Sequence, residues 1–480
     1  MGSLSAPAPF TVLTDAQPDN TSLPAFMVST TRGFLPRMEP VVELPPVFAK
    51  VESLLNAVGE PGLLAHGQFG DAVLAELEDL TEAVDAHKDD LVLQNALYRD
   101  YSFMASAYLL EPCHMRFLKG EGYGLARDRL PAALARPIAR SAELCGFKPF
   151  MEYAGSYALF NYKLMDPARG LAYDNLRLIR AFEHGLDPTS SEAGFVLTHV
   201  AMVSHSGALV EGVVNSLAAA SSTAPSSSRR TSFNAGLQSI LGALLKVNGA
   251  MEGMWDVSKP RSYTSFRTFI FGITSQSMFP HGVVYEGIGD DDAPQSFRGE
   301  SGANDSMIPL MDNFLGIAMP NTPLTAILKD FRSYRPGNHR EFLEWVAHEQ
   351  ARCGLREYAL SAATTPADAD HAEVLESRRL WLKIQNQVRD FRWRHWCFAR
   401  EYILKQTTHP TATGGSPIVT WLPNQLLAVM EDMIEMHKLI GGSDGGLGIE
   451  CEDIMEQVQR QRDTLNKEVA KYCAERGVTR

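Results

Sequence analysis

The stretch RDFRWRHWCFAREYI, residues 389–403, decides the fold, because it places one histidine on the apolar face of a helix. Apolar side chains before and after His395 recur three and four residues apart, which is the period of one helix face. The members of this stripe are Val388, Phe391, His395, Phe398 and Tyr402. The surrounding run from about residue 372 to residue 407 has no proline or glycine. The pattern predicts a long helix whose buried side carries His395.

Helical spacing also recurs outside this stretch, in DAVLAELEDLTEAVDAH (71–87), LVLQNALYRDYSFMASAYLL (91–110) and ALARPIARSAELC (133–145). The alternation typical of strands is scarce, and short candidates such as GVVYEG (282–287) stand alone. We therefore predict a mainly α fold. A smaller N-terminal helical domain, with an extended segment at its start, is expected at residues 1–187, and a larger all-helical C-terminal domain at residues 188–480.

Two turn-rich stretches divide the helical pattern. In HGLDPTSSEAG (184–194), Asp187-Pro188 is expected to end one helix, and Ser190 with its neighbours to begin the next. The low-complexity stretch AAASSTAPSSSRRTS (218–232) is expected to be a solvated loop. The first stretch supplies the predicted domain boundary.

Composition narrows the class of protein. With 45% apolar and 21% charged residues in a chain of 480, the sequence is typical of a globular protein with a large core. A formal net charge of −13 without basic clusters disfavours nucleic acid and membrane surfaces as partners. No stretch is read as a membrane span. The oligomeric state is open, with a monomer favoured.

Six cysteines are scattered singly along the chain, at positions 113, 145, 353, 397, 451 and 473, which favours a reducing compartment. The N-terminus lacks the charged start and apolar run of a signal peptide. We expect a cytoplasmic protein.

A single inward-facing histidine such as His395 has two interpretations, a hydrogen-bonded core residue or a ligand. A zinc site needs several protein ligands at short spacing, and none accompanies His395. A haem needs only one, since the porphyrin supplies four nitrogens, and Arg392, one turn before, suits a propionate. Spacing alone leaves both interpretations open.

Further residues carry a resemblance to a known family. HWCFAREYI and TATGGSPIVTWLPNQL resemble the C-terminal core of the indoleamine 2,3-dioxygenases, and the fungal branch is the most similar. GFLPRMEPVVELP, KPFMEYAGSYALFNYKL, FRGESGANDS and FRSYRPGNHREFLEWV follow the family's order. The resemblance implies a haem-dependent oxidoreductase, a dioxygenase that opens the indole ring of L-tryptophan with O2 to give N-formylkynurenine. It also implies a place in tryptophan catabolism, the kynurenine pathway and NAD synthesis.

The resemblance implies cofactor-binding residues in the C-terminal domain. His395 matches the proximal ligand of the iron in haem b, iron protoporphyrin IX. Arg392 and Asp312 match a pair beside the haem, in which the arginine meets a propionate. Ser301 matches a residue close to the other face of the haem and is expected to take part in catalysis.

The resemblance also implies a substrate site. Arg267 matches an arginine that grips the substrate carboxylate, which suits a guanidinium because a buried carboxylate needs a cation. Tyr263 and Phe195 match aromatic residues of the pocket; the alternative for Phe195 is ordinary core. Gly414, Gly415 and Ser416 match a flexible loop that closes over the substrate near its ammonium group; the alternative is a plain turn.

The sequence departs from the family at two places. His199 stands where vertebrate members have a small hydroxyl residue, and it is similar to the distal histidine of the tryptophan 2,3-dioxygenases. Because it follows Phe195 by four residues, it is expected to face the same pocket and to orient the indole N–H; a core histidine is the alternative. SGANDS replaces the commoner SGAQSS, which leaves substrate range open.

Two rival functions remain. One is a haem protein of the same fold that acts on another indole derivative, as a peroxidase-like enzyme or as a haem sensor. The other is a helical interaction protein without haem, against which His395, Arg392 and Asp312 together argue.

Overall fold

Helices dominate the structure, a computed structural model that describes residues 10–59, 62–289, 293–320, 323–361, 371–407, 409, 411–441 and 446–477. Helices make up 63% of it and strands 4%, which confirms the prediction of a mainly α fold. The first nine helices are α1 (Ala49–Asn56), α2 (Phe69–Glu76), α3 (Thr81–Ala86), α4 (Leu91–Leu118), α5 (Ala132–Cys145), α6 (Ser191–Val203), α7 (Ser206–Ser221), α8 (Ser226–Glu252) and α9 (Met254–Val257). The others are α10 (Pro260–Phe266), α11 (Met307–Leu315), α12 (Pro323–Arg332), α13 (Gly337–Cys353), α14 (Leu355–Ala359), α15 (His371–Phe398), α16 (Ile418–Leu439) and α17 (Ile449–Arg476).

The strands are short and form two small sheets in the described part of the chain. β1 (Arg129–Leu130) pairs in parallel with β4 (Val284–Tyr285), and β2 (Tyr162–Leu164) pairs antiparallel with β3 (Leu176–Leu178). The candidate strand in GVVYEG is therefore confirmed as β4. The division into domains at residue 187 stays a prediction, and the hydrophobic core contains residues from both sides of it.

The predicted helix around His395 is α15, and it packs against α8, α16 and α17. Trp381, Ile384 and Val388 on its inner face are fully buried. Beyond Phe398 the chain continues as a π-helical turn at Ala399–Leu404. α17 holds this end of α15, because the carboxylate of Glu468 accepts a 2.6 Å hydrogen bond from the Trp396 indole nitrogen. This hydrogen bond fixes the position of Trp396, the residue next to His395.

The two turn-rich stretches are only partly as predicted. Ser190 does begin a helix, since its hydroxyl accepts a hydrogen bond from the backbone N–H of Ala193 at 3.1 Å. No helix ends at Asp187, because the described chain reaches it through irregular backbone after β3. Ending a helix there is a wrong prediction.

The serine-rich stretch 218–232 is mostly helical, so the prediction of a solvated loop is wrong. α7 runs to Ser221 and α8 starts at Ser226, which leaves four connecting residues. The physical reason is burial. Arg230 is 5% exposed, and its guanidinium lies 3.8 Å from the ring centre of Tyr358 and donates to the Tyr358 carbonyl. Tertiary contacts of this kind override weak helix propensity.

One segment, residues 191–221, is long and apolar enough to cross a membrane by length and composition. The expectation that no stretch has this character is therefore wrong. In the structure the segment is broken into α6 and α7, and 72% of its most apolar window is buried inside the protein. Its apolarity corresponds to packing in the core.

Candidate functional site

A cavity beside α15 consists of two chambers that meet at His395. The polar chamber has a volume of about 600 Å3, and the aromatic chamber has a volume of about 140 Å3. Both are lined by Gly302, Ala303, Asp305, Phe391, His395, Trp421 and Leu422. The aromatic chamber is also lined by Phe398 and Tyr402, so the cavity runs along the predicted stripe.

The imidazole of His395 lies deep in the protein, and the surface it retains faces the cavity. No hydrogen bond joins this ring to any residue within the described ranges. Burial above all, and then His199 and Arg392, lower the pKa of His395 to about 4. The ring is therefore neutral at physiological pH, which is the form that binds a metal ion. A half-buried neutral imidazole that faces a cavity and has no partner among the described residues is suited to be a ligand.

The polar chamber carries the second predicted group. Arg392 on α15 and Asp312 on α11 form a bidentate ion pair, with N–O distances of 2.9 and 2.6 Å. Five cationic side chains line the chamber, namely Lys329, Arg332, Arg335, Arg340 and Arg392, against three carboxylates, Asp305, Asp312 and Glu344. Arg335 is 2% exposed, and although burial lowers its pKa to about 10, it stays charged at neutral pH. The excess of cations suits an anionic ligand.

These features fit a haem. A porphyrin brings four nitrogens and needs one imidazole, which His395 offers, and its two propionates need cations, which the polar chamber offers. Among the described residues no group of three or more His, Cys, Asp and Glu side chains is arranged to hold a bare metal ion. The donor set therefore fits a cofactor that supplies most of its own ligands.

Aromatic rings form the walls of the second chamber. Phe195 on α6 lies 5.3 Å from Tyr263 on α10, and Tyr263 lies 5.7 Å from Tyr402, measured between ring centres. The remaining apolar lining includes Met202, Met251, Met254 and Met307. Such a lining suits a flat apolar ligand. The structure thus brings Phe195 and Tyr263 to one chamber with His395.

His199 faces the same chamber, one helical turn after Phe195, and their ring centres are 4.8 Å apart. Its Nδ1 lies 2.9 Å from the Phe195 carbonyl oxygen. Because a carbonyl only accepts, Nδ1 carries the hydrogen and Nε2 is left as an acceptor. Burial lowers the pKa of His199, which favours this neutral form. Nε2 is directed toward Gly302, at 3.7 Å from where a Cβ there would lie.

Ser301 lines the aromatic chamber at the start of the short 3-10 turn Gly302–Asn304. Its hydroxyl accepts a hydrogen bond from the Ala303 backbone N–H at 3.2 Å. In the next turn, Asp305 accepts from the N–H groups of Met307 and Ile308 and so caps α11. Of the two departures from the family pattern, Asp305 therefore supports the local fold beside the cavity, whereas the buried side-chain amide of Asn304 has no hydrogen-bond partner among the described residues.

Only part of the predicted loop Gly414–Ser416 lines the cavity. Ser416 lines the aromatic chamber, whereas Gly414 and Gly415 lie behind the lining. A Cβ on Gly414 would come within 2.7 Å of the Phe331 ring and 3.1 Å of the Ser301 Cβ, and Gly415 has a φ of +85°. The guanidinium of Arg298 donates to the Gly414 carbonyl at 2.9 Å. Both glycines permit close packing here; loop closure stays a prediction.

Arg267, like Gly414 and Gly415, is a predicted site residue that does not line the cavity. Its side chain is fully buried, stacks on Phe271 at 4.6 Å and donates one hydrogen bond to the Thr411 carbonyl at 3.0 Å. Within the described part of the chain, Nε and Nη1 have no hydrogen-bond partner. It lies close to Tyr263. Burial raises the pKa of Tyr263 above its usual value, and the arginine opposes part of this rise. The role of Arg267 stays a prediction.

Several residues that line the aromatic chamber were not predicted to belong to the site. They are Tyr153, Glu300, Asp305, Phe391 and Trp421. The ring centres of Tyr153 and His199 are 5.6 Å apart, and the buried Tyr153 hydroxyl has no hydrogen-bond partner among the described residues. Glu300 stands inside the quoted motif RGESGANDS, where a carboxylate among small residues was the available signal. Tyr153 gives no local signal, since KPFMEYAGSY reads as ordinary core.

Comparison with known proteins agrees with this geometry. The family model described as indoleamine 2,3-dioxygenase matches residues 22–441. The chain is 26% identical to indoleamine 2,3-dioxygenase 1 of Mus musculus over 67% of the chain and 72% of that protein. It is 25% identical to an indoleamine 2,3-dioxygenase of Aspergillus candidus over 83% of the chain and 94% of that protein. A protein named myoglobin from Haliotis madaka is 26% identical over 67% of the chain and 76% of its own length.

Proposed function

The chain belongs to the indoleamine 2,3-dioxygenase family of haem-dependent dioxygenases, and on that premise we propose that it cleaves the indole C2–C3 bond of L-tryptophan with O2 to give N-formylkynurenine. The observation that carries the proposal is His395. Its neutral, unpartnered imidazole stands where an arginine-lined chamber meets an aromatic one. One chamber suits the propionates of a haem, and the other suits a flat indole.

In this proposal His395 ligates the iron of haem b, and Arg392, oriented by Asp312, binds a propionate. A bound haem supplies the ferrous iron that activates O2, and both oxygen atoms enter the product. Ser301, which lines the aromatic chamber, would stand close to the reacting atoms. The protein's contribution is to position the substrate and to exclude water.

In this proposal, the groups that hold the substrate need not gain or lose a proton. The indole ring lies among Phe195, Tyr263 and Tyr402, and Nε2 of His199 accepts a hydrogen bond from the indole N–H. Arg267 binds the carboxylate through the two donor nitrogens that have no partner, which requires its guanidinium to turn toward the chamber. The Gly414–Ser416 segment covers the amino-acid end. No general base is required, since the indole proton need not leave before oxygen adds.

The test is turnover by the haem-reconstituted protein under reducing conditions. With L-tryptophan and 18O2 we expect N-formylkynurenine that carries two heavy oxygen atoms. A haem-loaded protein that binds O2 reversibly and yields no oxygenated indole would contradict the proposal.

The relative named myoglobin favours a second candidate function, reversible O2 binding by a haem protein of this fold. Action on another indole derivative, peroxidase-like activity and haem-based sensing belong to the same alternative. His199 distinguishes the enzyme from the carrier, because a carrier does not need an acceptor for an indole N–H. Selective binding of L-tryptophan next to the haem would decide for the enzyme.

The proposed location is the cytoplasm, and the proposed setting is tryptophan catabolism that feeds the kynurenine pathway and NAD synthesis. All six cysteines are unpaired, which supports a reducing compartment.

A further inference from the structure

Glu300 is an acidic residue in the lining of the aromatic chamber. It is only 3% exposed. Within the described residues, neither a hydrogen bond nor an ion pair reaches this carboxyl. Only its backbone carbonyl is engaged, by the Thr413 hydroxyl at 2.8 Å. Buried polar groups in native proteins are almost always partnered, so this carboxyl is suited to a ligand.

The surroundings of Glu300 offer it no cation. Neither lysine nor arginine is among the residues that line the aromatic chamber in the described part of the chain. Burial, and to a smaller extent Glu152, raise the pKa of Glu300 to about 8. An approaching ammonium group would supply the missing positive charge and favour the carboxylate. The complementary ligand is therefore a cation.

Glu300 and Arg267 come from segments that abut. A Cβ on Gly272 would collide with the backbone of Gly299, and a Cβ on Gly299 would collide with that of Gly272. These two glycines let the chain after Arg267 run directly beside the chain before Glu300. Burial raises the pKa of Tyr263, which lines the same chamber; Glu300 adds to this rise and Arg267 opposes it. Glu300 and Arg267 therefore both lie near Tyr263, at one end of the indole site.

We propose that Glu300 binds the ammonium group of the substrate, and that Glu300 and Arg267 together recognise the two ends of an amino-acid zwitterion. The proposal deepens the proposed function and rests on it for the indole part of the ligand.

The test measures binding to the haem-loaded protein by calorimetry with three probes. L-tryptophan carries both charges, tryptamine carries only the ammonium, and indole-3-propionate carries only the carboxylate. We expect Glu300→Gln to weaken L-tryptophan and tryptamine by at least about tenfold, because a charge-assisted hydrogen bond is lost, and to leave indole-3-propionate unchanged or tighter.

Arg267→Ala is the matched variant with the opposite pattern. It should weaken L-tryptophan and indole-3-propionate and leave tryptamine within about twofold, since an uninvolved site changes binding little. Glu300→Asp keeps the charge and should retain tryptamine selectivity over indole-3-propionate. It also serves as the second variant if Glu300→Gln fails to fold.

Three outcomes overturn the assignment. They are equal weakening of all three probes by Glu300→Gln, no change in any of them, or a fall in kcat with the dissociation constants unchanged. Because binding is measured without turnover, a protein that binds tryptamine through Glu300 and makes no N-formylkynurenine would disprove the proposed reaction alone. Failure of the Glu300 pattern in an active enzyme would disprove this inference alone.

Discussion

The cavity has two walls of different construction. The helix wall is one face of α15, where Phe391 and His395 lie on regular backbone held by α8, α16 and α17. The loop wall is built from residues 298–305 and 411–416, where glycines allow segments to touch and side chains hold backbone carbonyls. Regular structure thus positions the proposed iron ligand, whereas irregular structure carries the polar groups that are proposed to select the substrate.

The largest effect is expected from a substitution in the helix wall. His395→Ala should abolish stoichiometric haem binding, because no other described residue offers an imidazole to both chambers. The measurement is the Soret band during haem titration. His348→Ala, at a half-buried histidine paired with Glu349 at 3.3 Å, is the control and should bind haem normally. Normal haem binding by His395→Ala would contradict the ligand assignment.

The second prediction tests whether Arg267, which contacts the loop wall through the Thr411 carbonyl, acts on substrate alone. Arg267→Ala should lower kcat/KM for L-tryptophan at least about tenfold, since a charged hydrogen bond in a buried pocket is worth roughly 1.5–3 kcal/mol. Haem content should stay the same. Arg267→Lys keeps the positive charge but loses the forked guanidinium, so its kcat/KM should lie between those of the wild type and Arg267→Ala. An unchanged kcat/KM would refute the role.

The third prediction concerns His199, which faces the chamber from α6 and belongs to neither wall. His199→Phe should weaken L-tryptophan binding by roughly threefold to tenfold, because one neutral hydrogen bond is lost. An N-methylated indole has no N–H to donate and should be bound equally by both proteins. If the N-methylated ligand loses affinity to the same extent, His199 shapes the pocket and does not accept a hydrogen bond.

The smallest expected effect is on stability and again concerns the loop wall. The pKa of Glu300 is raised to about 8 from 4.5, so between these pH values the folded protein holds a proton that the unfolded chain has released. The free energy of unfolding therefore falls as pH rises through this window. In the ligand-free protein, Glu300→Gln removes this loss, and its Tm should match the wild type near pH 4.5 and exceed it by a few degrees near pH 8. A Tm difference that does not vary with pH would show that Glu300 is not protonated in the fold.

The two walls also differ in how far they can be predicted from sequence. The stripe through His395 follows from helix period alone, because residues three and four apart share a face, and α15 confirms it. The short spacing from Phe195 to His199 is equally local, and both line the chamber. The cap at Ser190 was recognised by the same kind of local rule.

The loop wall depends on contacts between distant segments. The approach of Gly272 to Gly299 has no periodic signal, and it is this contact that brings Glu300 toward the chain of Arg267. The serine-rich stretch shows the same limit, since Arg230 is buried against Tyr358, far along the chain. The resemblance to a family predicts Ser301 and Ser416 on this wall, but no periodic pattern predicts that the neighbouring Glu300 lines the chamber as well.

The central claim is that His395 ligates a haem iron between the two chambers, and the most direct measurement is resonance Raman spectroscopy of the reduced wild-type protein labelled with 15N-histidine. We predict one iron–imidazole stretching band that shifts with the label, is lost in His395→Gly and returns without the isotope shift when unlabelled imidazole is added. A band that persists in His395→Gly without added imidazole, still shifted by the label, would place the iron on another histidine and contradict the account.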